Sequence, residues 1–163
     1  MPVNNLGFSV SIHADGKEIP HYQRQDISHN TTTCYIPSEA GKEFEVHFKN
    51  DAFTGNGAVI TTYIDGREMQ GLSVRAFESA KMRGVYESLE TIRPFSFSRL
   101  KLKGDDGADP NVDLSKLGVI ELHVSRAIVT HDGRNRDYAP RKVTAELEAV
   151  SEKAKKIGWH SVS

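Results

Sequence analysis

Residues 43–49 read EFEVHFK and indicate the fold class of this chain most clearly. Apolar and polar side chains alternate at all seven positions, and successive side chains of a β-strand point to opposite faces of its sheet. Phe44, Val46 and Phe48 are therefore predicted to face a core, and the four polar residues between them to face water. Such a one-sided strand is typical of an antiparallel sheet with one solvated face.

The same alternation recurs on both sides of this stretch. Two further segments, residues 7–13 (GFSVSIH) and residues 120–125 (IELHVS), show it clearly. Their inward-facing side chains are Phe8, Val10 and Ile12 in the first segment and Ile120, Leu122 and Val124 in the second. The chain is therefore predicted to be mainly β.

Asp-Gly pairs supply turns between the strands, because glycine accepts a positive φ without strain and aspartate tolerates it. Three pairs follow strand-like runs: Asp15-Gly16, Asp65-Gly66 and Asp132-Gly133. The first two are predicted to close hairpins, and the third ends its run in the same manner.

After Pro140 the pattern changes to helical spacing. Apolar residues form one stripe at Val143, Leu147, Val150, Ala154 and Ile157. Gly158 stands where a C-terminal cap belongs. We therefore predict an antiparallel β-sandwich, jelly-roll-like or similar, with one C-terminal α-helix. The predicted boundaries are 1–139 for the sandwich, 140–158 for a helix packed on or beside it, and 159–163 for a tail.

Composition limits the compartment and the partners. The 163 residues carry a formal net charge of −1, so no global field recruits nucleic acid or an anionic membrane. No apolar run approaches the roughly 18 residues of a membrane span, and the N-terminus lacks a signal-peptide pattern. The single Cys34 cannot form an internal disulfide. These features favour a cytoplasmic or nuclear protein without membrane contact.

Four short strings carry a family resemblance through their order and spacing. They are residues 34–37 (CYIP), 41–46 (GKEFEV), 94–98 (PFSFS) and 117–126 (LGVIELHVSR). Together they resemble an uncharacterised family of β-rich fungal domains over most of the chain. Because that family has no established activity, the resemblance implies no catalytic residue. Its members continue beyond the segment like 157–163 with a further strand-like stretch, so a shortened member is expected to expose an unpaired sheet edge.

Histidines on predicted strands offer the sharpest chemical hypothesis. His13, His47 and His123 each lie on the polar face of a strand. Three imidazoles on one sheet face would bind zinc and leave a position open for water, as in catalytic zinc sites. The other interpretation is three separate surface histidines, because close-spaced ligand pairs such as HExxH or CxxC do not occur in the sequence. No cofactor is assigned.

A basic cluster follows the third Asp-Gly pair. Its members are Arg134, Arg136, Arg141 and Lys142. Arginines at a turn bind phosphate or nucleic acid through bidentate hydrogen bonds. Residues 131–163 contain seven Lys or Arg and five Asp or Glu, a balance of only +2. A solvated surface is therefore favoured, and nucleic-acid binding is not expected.

The predicted helix has an apolar stripe that must be buried, because a helix this short is marginal alone in water. Leu147, Val150 and Ile157 are the candidate contact residues. They pack either on the chain's own sandwich or on a partner protein or second copy.

Catalytic signatures are otherwise missing from the sequence. It contains neither a nucleophile elbow nor a glycine-rich phosphate loop, and no local motif pairs Cys34 with a histidine. The sequence therefore favours a non-enzymatic intracellular interaction module, bound to a protein partner or a second copy through a sheet edge or the C-terminal segment. The alternative is a metal-binding domain or metal-dependent enzyme that uses the strand histidines.

Overall fold

Strands dominate the computed structural model, which describes residues 3–51, 57–88, 90–99, 102–103, 113–127, 150–151 and 160–162. The strands are β1 Val3–Asn5, β2 Phe8–Ala14, β3 Lys17–Glu18, β4 Tyr22–Ser28, β5 Thr31–Tyr35, β6 Glu43–Asn50, β7 Gly57–Ile64, β8 Arg67–Val74, β9 Ser79–Met82, β10 Gly84–Tyr86, β11 Ile92–Arg99, β12 Leu102–Lys103, β13 Ile120–Ala127, β14 Val150–Ser151 and β15 His160–Val162. A 3-10 helix spans Leu114–Lys116. The mainly β prediction is confirmed, and so are the three strands predicted from alternation, which are β2, β6 and β13.

The largest sheet is built around β6. Strand β2 pairs antiparallel with β6 along one edge, and β1 and β3 both pair with β2. On the other edge of β6, β11 pairs with its first residues and β9 with its second half. Strands β10 and β15 complete this eight-stranded sheet by pairing with β11.

A second sheet has the antiparallel order β13-β7-β8. Strand β13 pairs with β7 without interruption from Ile120 opposite Ile64 to Ala127 opposite Gly57. This unbroken register places the apolar residues of β13 on one face of the sheet, as the alternation in the sequence predicts.

The main core contains residues of both sheets. Its buried residues include Ile12, Phe44, Val46, Phe95 and Phe97 from the large sheet and Ile64 from the second sheet. Met69, Leu72, Ile120 and Leu122 of the second sheet pack against the same cluster. Phe44 stacks on Phe95 and Phe97, with ring centroids 5.4 and 4.6 Å away. Residues of both sheets therefore contribute to one hydrophobic core.

Both predicted Asp-Gly hairpins are confirmed. Asp15 and Gly16 connect β2 to β3 with φ angles of 51° and 72°, and Asp65 and Gly66 connect β7 to β8 with 50° and 75°. Positive φ at both residues is the requirement of a type I′ turn. The buried Asp65 carboxylate also accepts a 2.6 Å hydrogen bond from the amide of Gly118, which fixes the turn against the residues that precede β13. Asp132-Gly133 lies outside the described residues.

The C-terminal helix predicted for 140–158 is not supported. The two residues of this segment that the structure describes, Val150–Ser151, form β14 and pair in parallel with Leu102–Lys103. In the predicted tail, His160–Val162 forms β15 and pairs with β11. Pairing with distant strands overrides the local helical spacing at Val150, because propensity is a weak prior against tertiary contacts. The remainder of the predicted helix lies outside the described residues.

A search for a membrane-spanning helix gave none among the residues that the structure describes.

Candidate functional site

Two exposed tyrosines face each other across a hairpin that forms a two-stranded sheet of its own. Strands β4 and β5 form this two-stranded antiparallel hairpin, in which Tyr22 lies directly opposite Tyr35. The two residues are 55% and 68% exposed. Large aromatic side chains of this kind contribute most when buried, so two adjacent exposed ones make this hairpin a candidate contact surface.

The tyrosines belong to one uncharged face of the hairpin. Because Gln25 pairs with Thr33 and Ser28 with Thr31, these residues share a face with the tyrosines. We call this set the tyrosine face: Tyr22, Gln25, Ser28, Thr31, Thr33 and Tyr35. All six residues are exposed. Tyrosine with hydroxyl and amide side chains is the composition of adaptable protein-binding surfaces.

The opposite face of the hairpin is held against the rest of the domain. The Asn5 amide of β1 donates a 2.8 Å hydrogen bond to the Thr32 hydroxyl, which donates a 2.7 Å bond to the Asp26 carboxylate. The Thr32 hydroxyl lowers the pKa of Asp26. Ile36, just after β5, packs against the main core. Anchoring on one face leaves the tyrosine face presented outward.

Cys34 lies on this anchored face and is half-buried. Burial raises the pKa of its thiol, although the positive charge of Arg24 acts in the opposite direction. A thiol with a raised pKa is a poor nucleophile, because the thiolate is the reactive form. This environment suits the structural role that a lone cysteine usually has.

The edge of β4 is interrupted by two β-bulges. Both place the extra residue on β4, one between Tyr22 and Gln25 and the other between Asp26 and Ser28. The first contains Gln23 at a φ of 49°. Among the described strands, β4 pairs only with β5. Bulges on an outer strand twist it away from a new partner strand, so the face of this hairpin is better suited to binding than its edge.

A second cluster lies on the polar outer face of the large sheet. The rings of His13 on β2 and His47 on β6 stack almost in parallel, 3.8 Å apart and at 9°. They meet because Ser11 lies opposite His47 and Glu45 opposite His13, which makes the two histidines diagonal neighbours. Ser11 Oγ lies 3.1 Å from His13 Nε2. We call His13 and His47 the histidine pair.

Charged neighbours surround this pair. His47 Nε2 lies 2.8 Å from a Glu45 carboxylate oxygen, and Lys81 on β9 lies 3.4 Å from the same oxygen. The hydrogen bond from His47 lowers the pKa of Glu45, and Lys81 acts in the same direction. Burial lowers the pKa of His13, and the charge of His47 lowers it further, against the smaller opposing effects of Glu18 and Glu45.

We expect the His13 imidazole to titrate below its ordinary pKa of 6.5, and we expect the substitution His47→Gln to raise that pKa part of the way back. Burial, the larger cause, remains in the variant. Proton NMR titration of the His13 ring measures both values. A His13 pKa at or above 6.5 in the wild type, or one that His47→Gln leaves unchanged, would contradict the stacked geometry.

The lowered pKa also fixes the sign of the pH dependence of stability. Below pH 6.5 the unfolded chain binds a proton at His13 more readily than the folded chain does. The stability that neutral His13 contributes is therefore present above pH 6.5 and is lost as the pH falls through the folded pKa. Urea unfolding measured across this pH window tests this. The free energy of unfolding should fall less steeply with decreasing pH in His13→Gln than in the wild type.

The third predicted ligand lies elsewhere. His123 is on β13 of the second sheet, where its ring contacts Tyr63 with centroids 4.8 Å apart. The structure therefore brings together two of the three histidines proposed as ligands. In the part of the chain that the structure describes, no group of three or more His, Cys, Asp or Glu is arranged to hold a metal ion.

The remaining candidate residues lie outside the described part of the chain. Among them are the basic cluster and two of the three helix contacts: Arg134, Arg136, Arg141, Lys142, Leu147 and Ile157. Val150 is described only as a residue of β14.

Sequence reasoning missed the tyrosine face. Its β5 half alternates in burial from Thr31 to Tyr35, but the sequence there reads TTTCY and has no matching alternation of polar and apolar residues. The β4 half does not alternate in burial, because all seven of its residues are exposed and the two bulges break the period of two. The exposed tyrosines become visible as a pair only when the hairpin register is known.

One of three comparisons with known proteins gives a match. Residues 7–157 match the model of a family described as a domain of unknown function, DUF7918. No curated protein matches the sequence. No solved structure matches it either.

Proposed function

We propose that this chain, which belongs to the DUF7918 family of domains of unknown function, is a non-enzymatic intracellular module that binds another protein through its tyrosine face. The observation that carries the proposal is the cross-strand pair of Tyr22 and Tyr35, both more than half exposed. Buried tyrosines dominate the energy of many protein interfaces, and they cluster at the interface centre.

The two large sheets provide a scaffold that supports binding through the tyrosine face. We infer that the two large sheets stack as a β-sandwich, because residues of both contribute to one core. Binding residues positioned by a rigid scaffold lose little conformational entropy when a partner docks. The hairpin is tied to that scaffold at Asn5 and Ile36, so its outer face is preorganised.

The chemistry of the face specifies the class of partner. None of its six side chains is charged, so a matching protein surface is apolar and rich in uncharged hydrogen-bonding groups. Salt screens charged contacts and leaves a contact of this kind intact. We therefore expect the complex to persist at high ionic strength.

The histidine pair does not argue for catalysis. Ser11 and His13 are close enough for a nucleophile and its base, whose separation is about 3 Å in enzymes. Ser11 is nevertheless buried, and His47 covers the face of the His13 ring. The burial of Ser11 and the stacking of His47 on His13 both hinder a substrate from reaching these side chains.

The double substitution Tyr22→Ala/Tyr35→Ala is expected to weaken binding of the partner by at least about 30-fold, because truncating even one strong interface residue has this effect. The partner is first identified by affinity capture at low and high salt with the wild-type domain, and its affinity is then measured with purified proteins. Val59→Ala is the matched control, since Val59 is an exposed apolar residue on β7 of the second sheet. Equal affinity of the wild type and the tyrosine variant would refute the proposal.

A metal-binding role is the second candidate, and the stacked histidine pair is the observation that favours it. Two neighbouring imidazoles on one sheet face supply half of a tetrahedral zinc site. Elemental analysis of protein purified without chelator tests whether the domain binds zinc. Near-stoichiometric zinc that is lost in His13→Gln/His47→Gln supports the role, and a metal-free wild type excludes it.

A further inference from the structure

Every side chain of the tyrosine face carries a hydrogen-bond donor, either a hydroxyl or the amide of a glutamine. Ser28 and Thr31 both donate to Oδ1 of Asn30, at 2.7 and 3.3 Å, at the turn that connects β4 to β5. The four other donors belong to Tyr22, Gln25, Thr33 and Tyr35. No side-chain hydrogen bond to a described residue uses these four, so a ligand that supplies acceptors would match them.

The two tyrosines lie side by side at one end of this face. Residues directly opposite in an antiparallel pair have Cβ atoms about 5 Å apart, so the side chains of Tyr22 and Tyr35 leave the hairpin next to each other. Each combines an apolar ring with a polar tip. From Tyr35 the face extends along β5 to Thr31, a length of about 13 Å. A ligand of this face therefore needs an apolar part at one end and hydrogen-bond acceptors along its length.

Three common modes of peptide recognition do not fit these features. Addition of a β-strand is hindered at β4 by its two bulges. Phosphorylated and acidic peptides are bound by arginine clusters, and the face has no charged side chain. An amphipathic helix needs a continuous apolar groove, whereas the face is polar beyond the tyrosines, and the helix bonds its own carbonyls internally. A matching ligand therefore offers free carbonyl groups without pairing to a strand edge.

A polyproline II helix has this chemistry. It makes no internal hydrogen bonds, so its carbonyls remain free to accept them. Proline has no backbone N–H group, and its ring is apolar. Proline-rich segments dock on aromatic surfaces with little loss of entropy, because their helix is already formed. With a rise of about 3.1 Å per residue, roughly four residues of such a helix cover the length of the face.

We propose that the partner segment bound by the tyrosine face is a proline-rich sequence in the polyproline II conformation, an inference that rests on the proposed function. Proline rings pack against Tyr22 and Tyr35. The hydroxyls of these two residues and of Thr33, together with the Gln25 amide, donate to carbonyls of the segment. Because none of these contacts involves a charge, the face recognises proline itself and not charged residues beside it.

Decaproline is the probe for this proposal, because it presents only proline rings and carbonyls. NMR titration of the isotopically labelled domain should give saturable chemical-shift changes in β4 and β5, with a dissociation constant of about 1 mM or tighter. A glycine-serine peptide of equal length is the control and should give none. Tyr22→Ala/Tyr35→Ala should abolish the changes, whereas Val59→Ala, on β7, should keep the wild-type affinity.

The substitution Tyr22→Phe/Tyr35→Phe separates ring contact from hydrogen bonding. It keeps both rings and removes both phenolic donors. We expect this variant to bind decaproline about 10-fold more weakly than the wild type, the effect of losing two neutral hydrogen bonds. Wild-type affinity of the phenylalanine variant would overturn the assignment of these hydroxyls as donors to the segment.

This inference and the proposed function can fail separately. The inference is overturned if decaproline causes no saturable changes at the hairpin, or if it binds Tyr22→Ala/Tyr35→Ala as tightly as the wild type. If the captured partner is nevertheless lost in that variant, the proposed function stands and the partner uses another kind of segment. If the partner binds the variant with wild-type affinity, both fail. Self-association in sedimentation that the variant abolishes would identify a second copy as the occupant and overturn the inference.

Discussion

Replacement of Phe44 by alanine is expected to lower the free energy of unfolding by about 4 kcal/mol, within the usual range for a fully buried phenylalanine. Phe44 is 1% exposed and stacks on both Phe95 and Phe97. The truncation leaves a cavity in the core that both sheets share. Because domains of this size are stable by roughly 5–15 kcal/mol, the loss is a large fraction of the total.

Urea unfolding followed by circular dichroism measures this effect. Phe44→Leu is the matched control, since it keeps most of the apolar volume and should lose considerably less stability. If Phe44→Ala changed stability by less than about 1 kcal/mol, the packing of the two sheets on a common core would be contradicted.

Gly84→Ala is expected to destabilise the domain by about 3 kcal/mol, at the upper end of the range for overpacked sites. Gly84 lies on β10 opposite Pro94 of β11. A Cβ atom at this position would overlap the Arg93 carbonyl oxygen and lie 2.7 Å from Ile92 Cγ2. The backbone cannot yield as a flexible side chain does, so β10 must move away from β11.

Gly71→Ala provides the control for this substitution. Gly71 lies within β8, and its added Cβ would meet the Ile60 carbonyl oxygen at an ordinary 3.6 Å. Alanine in a strand is favoured over glycine by roughly 0.5–1 kcal/mol, so this variant should be neutral or slightly stabilised. Thermal unfolding measures the stability of Gly84→Ala and Gly71→Ala. Equal stability of the two variants would show that β10 and β11 are not paired as described.

The sequence predicts those parts of the fold in which local pattern and burial agree. Strands β2, β6 and β13 each have one apolar face against the core, so their period of two is visible without the structure. The turns at Asp15 and Asp65 are equally visible, because positive φ demands a small set of residues. The turn at Leu6-Gly7, which connects β1 to β2 with positive φ at both residues, is not predicted because leucine is outside that set of residues.

Strand order and register are not encoded in local pattern, and the candidate sites depend on both. His13 and His47 lie on predicted polar faces, yet their contact follows from the diagonal register of β2 and β6. His123 has the same local pattern but lies on the other sheet. The apolar spacing around Val150 indicates a helix, although its strand partner Leu102 is 48 positions away in the printed sequence.

Hydroxyl-radical footprinting of the complex shows whether a protein partner covers the tyrosine face. Tyr22 and Tyr35 are exposed in the isolated domain and should be strongly protected from oxidation when the captured partner is bound. Tyr63, which contacts His123 on the second sheet, serves as the internal reference and should react equally in both states. Unchanged oxidation of Tyr22 and Tyr35 in a saturated complex would show that the partner does not bind the tyrosine face.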